Sequence, residues 1–314
     1  MYKIGIDLGG TNIVAGVVDE HYRILAKEKV KTALPRPAEE IAADMAAAAR
    51  RAAEKAGISF SEIACVGVGS PGAVDAQSGC VIYANNLGFR DVPLSDFLRA
   101  RLDRPVRLAN DANAAAFGEY LAGAGRGCKN FVMITLGTGV GNGLVLDGRL
   151  YTGSNGAGGE TGHTVIDLDG EACTCGRRGC WEAYASATAL IRQTRRAMRE
   201  HTESKLWQQC GGDEAKVDGR TAFDAMRAGD EIAAAVCRQY IRYIAVGVIN
   251  LVNIFQPEIL CIGGGICAEG AGLTEPIAEM LGQEDYARAL LQRTRVCTAQ
   301  LGNDAGIIGA AFLQ

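Results

Sequence analysis

Apolar residues along this chain alternate between short strand-like runs and longer segments with helical spacing. Short apolar runs bounded by glycine or proline are typical of buried strands, whereas apolar positions repeated every three or four residues indicate helices. The pattern predicts helices over residues 38–55, 112–122, 181–201, 221–227, 230–254 and 304–312, and strands over 62–69, 105–109 and 257–262. Strands that alternate with helices define the α/β class.

One pattern occurs twice. Residues 4–11 and 132–139 each form an apolar run that ends in a glycine and threonine turn, and a second apolar run then leads to Asp19 or Asp147. The offset is 128 residues throughout, with five identities. Each copy predicts a β-hairpin with a glycine-rich tip. We interpret the repeat as duplication of a half-domain; the alternative is coincidence between two glycine-rich hairpins.

Size and composition limit the class of protein. The chain has 314 residues, 48% of them hydrophobic, which predicts about two domains. A net charge of -4 gives no electrostatic reason to expect a nucleic acid or a membrane as partner. The N-terminus enters a strand pattern at once, so we expect no signal peptide, and no run of ~18 apolar residues predicts a membrane span. Eleven cysteines in no disulfide-like spacing are typical of reduced thiols in the cytoplasm.

The repeated turns predict phosphate binding. The residues concerned are Asp7, Gly9, Gly10, Thr11 and Asn12 in the first turn, Gly137, Thr138 and Gly139 in the second, and Gly264 and Gly265 after a later strand. Glycines let backbone N–H groups approach an anion closely, so two such turns can hold a phosphate chain. The carboxylate of Asp7 suits a hydrated magnesium ion. The alternative for each turn is an ordinary tight reversal.

A cluster of His163, Cys173, Cys175 and Cys180 predicts a metal site. One imidazole and three thiolates favour zinc, and four protein ligands leave no open position, so the zinc would be structural. Gly170, Gly176 and Gly179 would allow the chain reversals that bring the sulfurs together. Glu160 and Glu182 flank the cluster, which would fix two carboxylates beside a pocket. The alternative is a loop of ordinary reduced cysteines.

Two polar segments are candidate contacts for a substrate. Asn110 and Asp111 lie between a predicted strand and a predicted helix. Either residue could be the helix N-cap, and the Asp111 carboxylate could also act as a general base toward a substrate hydroxyl. Asn86 lies in a polar loop that could line a sugar pocket or form a simple turn.

Together these motifs resemble the ROK family (repressor, open reading frame, kinase) of sugar kinases and regulators. The matching segments are residues 7–11 (D-L-G-G-T), 70–72 (S-P-G), 110–113 (N-D-A-N), 136–141 (L-G-T-G-V-G), 160–163 (E-T-G-H), 173–180 with its three cysteines, 182–184 (E-A-Y) and 263–265 (G-G-G). They cover nearly the whole chain in the order of the family. Asn142 departs from the pattern, because many relatives have glycine there.

The resemblance implies an actin-like (ribonuclease-H-like) ATPase fold with two duplicated α/β domains around a central cleft. We expect a small domain from residues 1–110 and 300–314, and a large domain from 111–299 that carries the zinc cluster. The roles that the resemblance implies are catalytic base for Asp111, sugar contacts for Asn86, Asn110, Asp111, Glu160, His163 and Glu182, and zinc ligation for His163, Cys173, Cys175 and Cys180.

The implied activity is ATP-dependent phosphorylation of a hexose at its 6-hydroxyl, with magnesium and one structural zinc. The loop at Asn86 is most similar to the glucokinase branch, so glucose is the first expectation. Another hexose, such as N-acetylmannosamine, mannose, allose or fructose, is the main alternative. A sugar-responsive regulator is the other; because the first phosphate turn begins at Asp7, we expect no DNA-binding domain ahead of it. The family also implies a homodimer or homotetramer, and we expect it in the cytoplasm because the cysteines are typical of reduced thiols.

Overall fold

The computed structural model describes residues 1–290 and 293–314, and its elements alternate as the α/β pattern predicts. The strands are β1 (Tyr2–Leu8), β2 (Asn12–Val18), β3 (Ile24–Lys31), β4 (Ile63–Ser70), β5 (Ala73–Asp75), β6 (Cys80–Ala84), β7 (Phe89–Val92), β8 (Val106–Asn110), β9 (Phe131–Leu136), β10 (Val140–Leu146), β11 (Arg149–Tyr151), β12 (Ile259–Gly263) and β13 (Arg295–Thr298). The helices are α1 (Ala38–Lys55), α2 (Leu94–Leu102), α3 (Asp111–Ala122), α4 (Glu182–Ala185), α5 (Ala187–Glu200), α6 (Leu206–Gln209), α7 (Thr221–Arg227), α8 (Glu231–Phe255), α9 (Ala271–Glu284) and α10 (Asp304–Ala311).

Two five-stranded sheets share one strand order. The first is β3-β2-β1-β4-β8 and the second is β11-β10-β9-β12-β13. In the first sheet, β1, β2 and β3 pair antiparallel, and β4 and β8 continue parallel to β1. In the second, β10 and β11 pair antiparallel and β12 and β13 pair parallel. Each sheet is therefore built around one copy of the repeated hairpin, which supports the predicted duplication.

The chain divides into two compact units. The first contains residues 1–132, 143–159 and 300–314, and the second contains residues 133–142 and 160–299. The division falls within β9 and β10, so each unit carries one of the two glycine-rich turns.

In the first unit, α1 and α10 cover opposite faces of the sheet. Ile4 and Ile6 belong to the apolar core that includes the buried side of α1, whereas Gly5 faces α10, as the alternation of a strand requires. A Cβ on Gly5 would lie 1.8 Å from the carbonyl oxygen of Ile307. Only a residue without a side chain therefore lets α10 lie directly on the sheet.

In the second unit, α8 is the longest helix. Its length and composition alone would allow it to cross a membrane, but about half of its most apolar stretch is buried inside the protein. Tyr240, Ile244 and Val248 are among its buried residues, and the Tyr240 hydroxyl donates to the carbonyl of Ala185 at 2.9 Å. These are the features of a core helix, which passes the same test of length and hydropathy.

The single helix predicted over residues 181–201 is wrong. Ser186 is extended (φ -71°, ψ 160°), so the chain forms a short α4 and then α5. The Ser186 hydroxyl accepts the N–H of Ala189 at 3.1 Å and caps α5, because a serine side chain competes with helical bonding and favours a helix start. The helices predicted over 38–55 and 221–227 are confirmed without change.

Candidate functional site

Two aspartates lie at the carboxyl ends of parallel strands in the first unit. Asp7 of β1 is in register with Gly69 of β4, and Ser70 of β4 is in register with Asn110, the last residue of β8. Asp111 follows immediately as the first residue of α3. Parallel strands end at the same edge of a sheet, which is where α/β folds place their ligands.

Both carboxyl groups are harder to ionise than ordinary aspartates. Desolvation by burial, together with the negative charge of Asp111, raises the pKa of Asp7 to about 6. The pKa of Asp111 is also raised, because desolvation by the surrounding protein outweighs the stabilising backbone N–H of Ala112. The Asp111 side chain is nevertheless open to solvent, so a substrate can reach it. A carboxylate with a raised pKa suits proton abstraction near neutral pH.

Asn110 and Asp111 divide the roles that the sequence left open. The Asn110 side-chain oxygen accepts the N–H groups of Ala112 at 2.9 Å and Asn113 at 3.3 Å, so Asn110 is the N-cap of α3. Its Nδ2 donates to the carbonyl of Gly72 at 3.0 Å, within the S-P-G segment. The Asp111 side chain accepts the N–H of Ala112 on Oδ1 at 2.8 Å, and its carboxylate is exposed to solvent.

Thr32 stabilises the first glycine turn through two hydrogen bonds. The Gly9 N–H donates to the Asn12 carbonyl at 2.9 Å and closes the turn. Thr32 braces it, since its hydroxyl donates to the Gly9 carbonyl at 2.6 Å and its N–H donates to the Thr11 carbonyl at 3.0 Å. Asn86 lies beside the turn, its Nδ2 being 3.7 Å from where a Cβ on Gly10 would stand.

The second glycine turn lies in the second unit and is held by α5. The N–H of Ala187 donates to the Gly137 carbonyl at 2.9 Å, and the Thr188 hydroxyl donates to the Thr138 carbonyl at 2.9 Å. Gly264 packs behind the turn, because a Cβ there would lie 2.3 Å from the Leu136 carbonyl oxygen. Gly265 follows it as the first residue of a 3-10 turn.

Glu182 connects the second glycine turn with the cysteine cluster. Its Oε2 accepts the N–H of Val140 at 2.9 Å, and its Oε1 accepts the Thr174 hydroxyl at 3.3 Å. A Cβ on Gly139 would lie only 2.2 Å from Oε2. The glycine that the motif requires at 139 therefore also leaves room for this carboxylate.

The four predicted metal ligands come together. His163, Cys173, Cys175 and Cys180 place their ligand atoms within 4.8 Å of one another. The Sγ atoms of Cys175 and Cys180 are 3.6 Å apart, as are Cys173 Sγ and His163 Nδ1. Tetrahedral zinc bonds of ~2.0–2.3 Å would separate neighbouring ligands by about 3.6–3.8 Å, so the geometry fits zinc.

The loop that carries the cysteines needs its glycines for two different reasons. Gly176 and Gly179 have φ of 86° and 73°, and a Cβ on Gly179 would lie 1.5 Å from the Asp167 carbonyl oxygen. Gly170 needs space instead, since a Cβ there would lie 1.8 Å from the hydroxyl of Tyr184. That hydroxyl accepts the Glu171 N–H at 2.7 Å and bonds Asp167 at 3.1 Å, so Tyr184 fixes the loop.

The turn that carries Glu160 and His163 is also fixed. His163 N–H donates to the Glu160 carbonyl at 3.1 Å, and Thr161 is bonded to the side chain of Asn142 in β10. Sequence reasoning missed Asn142 and Thr161 as partners, as it missed Thr32 and Thr188. Their only sequence signal is a hydroxyl or an amide, which does not predict a long-range partner.

The predicted site residues are divided between the two units. The first unit holds Asp7, Gly9, Gly10, Thr11, Asn12, Asn86, Asn110 and Asp111. The second holds Gly137, Thr138, Gly139, Glu160, His163, Cys173, Cys175, Cys180, Glu182, Gly264 and Gly265.

Comparison with known proteins finds the family that the sequence motifs resemble. Residues 3–314 match the model of the ROK family. The chain is 39% identical over 312 residues to a glucokinase of Thermotoga maritima, covering 99% of this chain and 96% of the relative. It is 32% identical to an N-acetylmannosamine kinase of Haemophilus influenzae, covering 99% and 95%. A solved ROK family glucokinase from Streptomyces griseus, in complex with glucose and AMPPNP, has a TM-score of 0.82 at 38% identity, covering 99% of this chain and 98% of that one.

The duplicated sheets and their paired glycine turns have the fold of actin-like ATPase sugar kinases. The chain belongs to the ROK family. The family and the fold that the sequence motifs predicted are thus confirmed.

Proposed function

We propose that this protein transfers the γ-phosphoryl group of ATP to the 6-hydroxyl of glucose. The observation that carries the proposal is the solvent-open carboxylate of Asp111 with its raised pKa, in a chain that matches glucokinases along its full length. A coupled assay of ADP release with a panel of hexoses tests it. Phosphorylation of glucose at position 6 is the expected result, and ATP turnover with no hexose accepted would contradict it.

The proposed mechanism assigns each group of residues one task. Asp111 accepts the proton of the 6-hydroxyl as that oxygen attacks the γ-phosphorus in line. The backbone N–H groups of the two glycine turns stabilise the phosphate charge, and Asp7 would hold the magnesium ion that accompanies ATP. Asn86, Asn110, Glu160, His163 and Glu182 bind the sugar, since amides and carboxylates match vicinal hydroxyls.

We also propose that His163, Cys173, Cys175 and Cys180 hold one structural zinc ion. The spacing of the four ligand atoms supports this. Zinc binding requires ionised thiolates, so it competes with protons at Cys180, whose pKa is raised by burial and by the neighbouring thiols. Such a cluster requires reduced cysteines, which supports the proposed cytoplasmic location. A homodimer or homotetramer rests on the family resemblance alone, and light scattering would measure it.

The end of the sugar opposite the 6-hydroxyl gives a prediction of substrate specificity. If the 6-hydroxyl reacts at Asp111, Glu160 and Glu182 are assigned to the hydroxyls on C1 and C2. A site built to bond a hydroxyl rejects an analogue that lacks it, because its own polar groups are left unpaired. We expect 2-deoxyglucose to be a clearly poorer substrate than glucose, and Glu182→Gln to raise the KM for glucose more than the KM for ATP.

Glutamine is the informative replacement at this position. Its amide oxygen can still accept the Val140 N–H, and its NH₂ can still bond the Thr174 hydroxyl, so the contacts of Glu182 within the protein are retained. Steady-state kinetics with glucose, 2-deoxyglucose and ATP make the measurement. Equal use of the two sugars, or an unchanged KM for glucose in the variant, would refute the assignment.

A second prediction concerns pH. Because the pKa of Asp7 is raised to about 6 and that of Asp111 is raised as well, both become protonated at a higher pH than ordinary carboxyls. The acid limb of the kcat/KM profile, measured at low magnesium so that the ion does not suppress protonation of Asp7, should therefore lie at a higher pH than the ~4 expected for ordinary carboxyls. A profile that stays flat down to pH 4.5 would show that neither carboxylate is needed in ionised form.

An N-acetylmannosamine kinase is the second candidate, because a relative of that name covers the chain at 32% identity. The same hexose panel separates the two. A kcat/KM for N-acetylmannosamine above that for glucose would replace the first proposal.

A further inference from the structure

Asn142 is a buried amide of β10 whose oxygen has two donors. Its Oδ1 accepts the N–H of Thr161 at 3.1 Å and the hydroxyl of Thr161 at 3.0 Å. Both residues are more than nine-tenths buried. Because a backbone N–H can only donate, the side-chain oxygen must face Thr161, and the orientation of the amide is fixed.

The nitrogen of the Asn142 amide, unlike its oxygen, is unpaired within the described residues. Its Nδ2 is buried and has no hydrogen-bond partner in the part of the chain that the structure describes. An unsatisfied buried donor is unfavourable. A residue that breaks a local rule in this way is typical of functional regions, where the compensating gain lies elsewhere.

The partner of Asn142 begins the turn that carries two proposed sugar ligands. Thr161 follows Glu160 directly and opens the 3-10 turn that ends at His163. The Thr161 carbonyl closes the turn by accepting the N–H of Thr164 at 3.0 Å and its hydroxyl at 2.7 Å. Every polar group of Thr161 is therefore used to hold this turn in one conformation.

The turn also lies very close to the strand from which Asn142 projects. A Cβ on Gly162 would lie 2.3 Å from the Val140 carbonyl oxygen. The backbone at 162 thus packs directly on β10, and the Asn142 side chain sets its register along the strand. The same strand begins at Val140, whose N–H donates to Glu182. The positions of three proposed sugar ligands, Glu160, His163 and Glu182, therefore depend on contacts with β10.

We propose that Asn142 is a positioning residue for sugar binding, because it fixes Glu160 and His163 through Thr161. It does not touch the sugar, since its side chain is buried. The inference rests on the proposed function, in which Glu160 and His163 bind the sugar. It predicts that loss of the Asn142–Thr161 bonds weakens the binding of sugar and spares that of nucleotide.

Four variants test the pair. Asn142→Ala leaves the hydroxyl and the N–H of Thr161 without their acceptor. Thr161→Val removes the hydroxyl with little change in volume, whereas Thr161→Ser retains the hydroxyl. We expect the first two to raise the KM for glucose roughly tenfold, short of the ~100-fold that a 1 Å misplacement can cost. Thr161→Ser should stay within about twofold of the parent, and the double variant Asn142→Ala/Thr161→Val should be no worse than the worse single variant, since coupled residues are non-additive.

Further readouts separate positioning from general destabilisation. The KM for ATP should stay within about twofold of the parent value, and the metal content should equal that of the parent. An unchanged KM for glucose, a rise of both KM values together, or loss of metal in Asn142→Ala would each overturn the inference.

Hydrogen exchange makes the inference separable from the proposed function. The N–H of Thr161 should exchange faster in Asn142→Ala than in the parent, which requires no substrate. If the parent phosphorylates no sugar, the proposed function fails, and with it the sugar-binding role. If the parent is active and neither exchange nor the KM for glucose changes in the variant, only the role of Asn142 fails.

Discussion

Asp111→Asn is expected to reduce kcat at least about a hundredfold, the usual scale for loss of a general base. Asparagine has nearly the same size, and its oxygen can still accept the Ala112 N–H that Asp111 accepts now. The N-cap of α3 is unaffected because Asn110 provides it. The fold and the binding of glucose should therefore persist while proton abstraction is lost.

Thermal stability supplies the first control for this variant. The pKa of the Asp111 carboxyl is raised in the folded protein, so its ionised form is disfavoured by folding. Neutral asparagine should thus leave the melting temperature unchanged or slightly higher. Asp96→Asn in the first turn of α2 is the matched variant, since Asp96 is exposed and pairs only with Arg99 in the first unit. A folded Asp111→Asn protein with kcat within tenfold of the parent would remove Asp111 from the mechanism.

Cys175→Ala is expected to abolish zinc binding and destabilise the second unit. Cys175 is exposed, so loss of its packing alone would cost little. Loss of a structural metal instead belongs to the largest class of effects, about 4 kcal/mol or more, which corresponds to roughly 10 °C in melting temperature for a unit of this size. The KM for glucose should also rise, because His163 is a proposed ligand of both zinc and sugar, and Glu182, a proposed sugar ligand, bonds the cluster loop through Thr174.

Metal analysis decides the second prediction. The parent, purified without chelators, should contain one zinc per chain and the variant close to none. Cys80→Ala is the control, since Cys80 lies outside the cluster in β6 and is half-buried; it should keep the zinc. Parent protein that contains no zinc would refute the metal site, and a zinc-containing parent whose Cys175→Ala variant melts at the same temperature would refute its structural role.

The sequence predicted the fold well wherever a pattern is local. The alanine-rich α1 was bounded correctly because its buried positions recur at helical spacing between a proline and a glycine. The duplication was visible because both hairpins need glycine at the same place. The predicted helix over 181–201 failed because the break at Ser186 follows from one capping hydroxyl, and apolar periodicity does not report such a cap. Strand β3 was not predicted, because its residues alternate only between half-buried and exposed positions. The difference in hydrophobicity between its two faces is therefore small.

For the site, the sequence by itself determined the chemical inventory: four candidate metal ligands with zinc-like spacing, two glycine turns, and the Asn110–Asp111 pair. Residue type and spacing limit which ion or group can be held, so this inventory follows from the order of the residues alone. The tertiary structure decided which neighbours share a site. It raised the pKa of Asp7 through burial and the charge of Asp111, bonded Glu182 to Val140, and bonded Asn142 to Thr161. Such effects depend on distances between residues far apart in the chain, because hydrogen bonding and desolvation act through distance rather than sequence order.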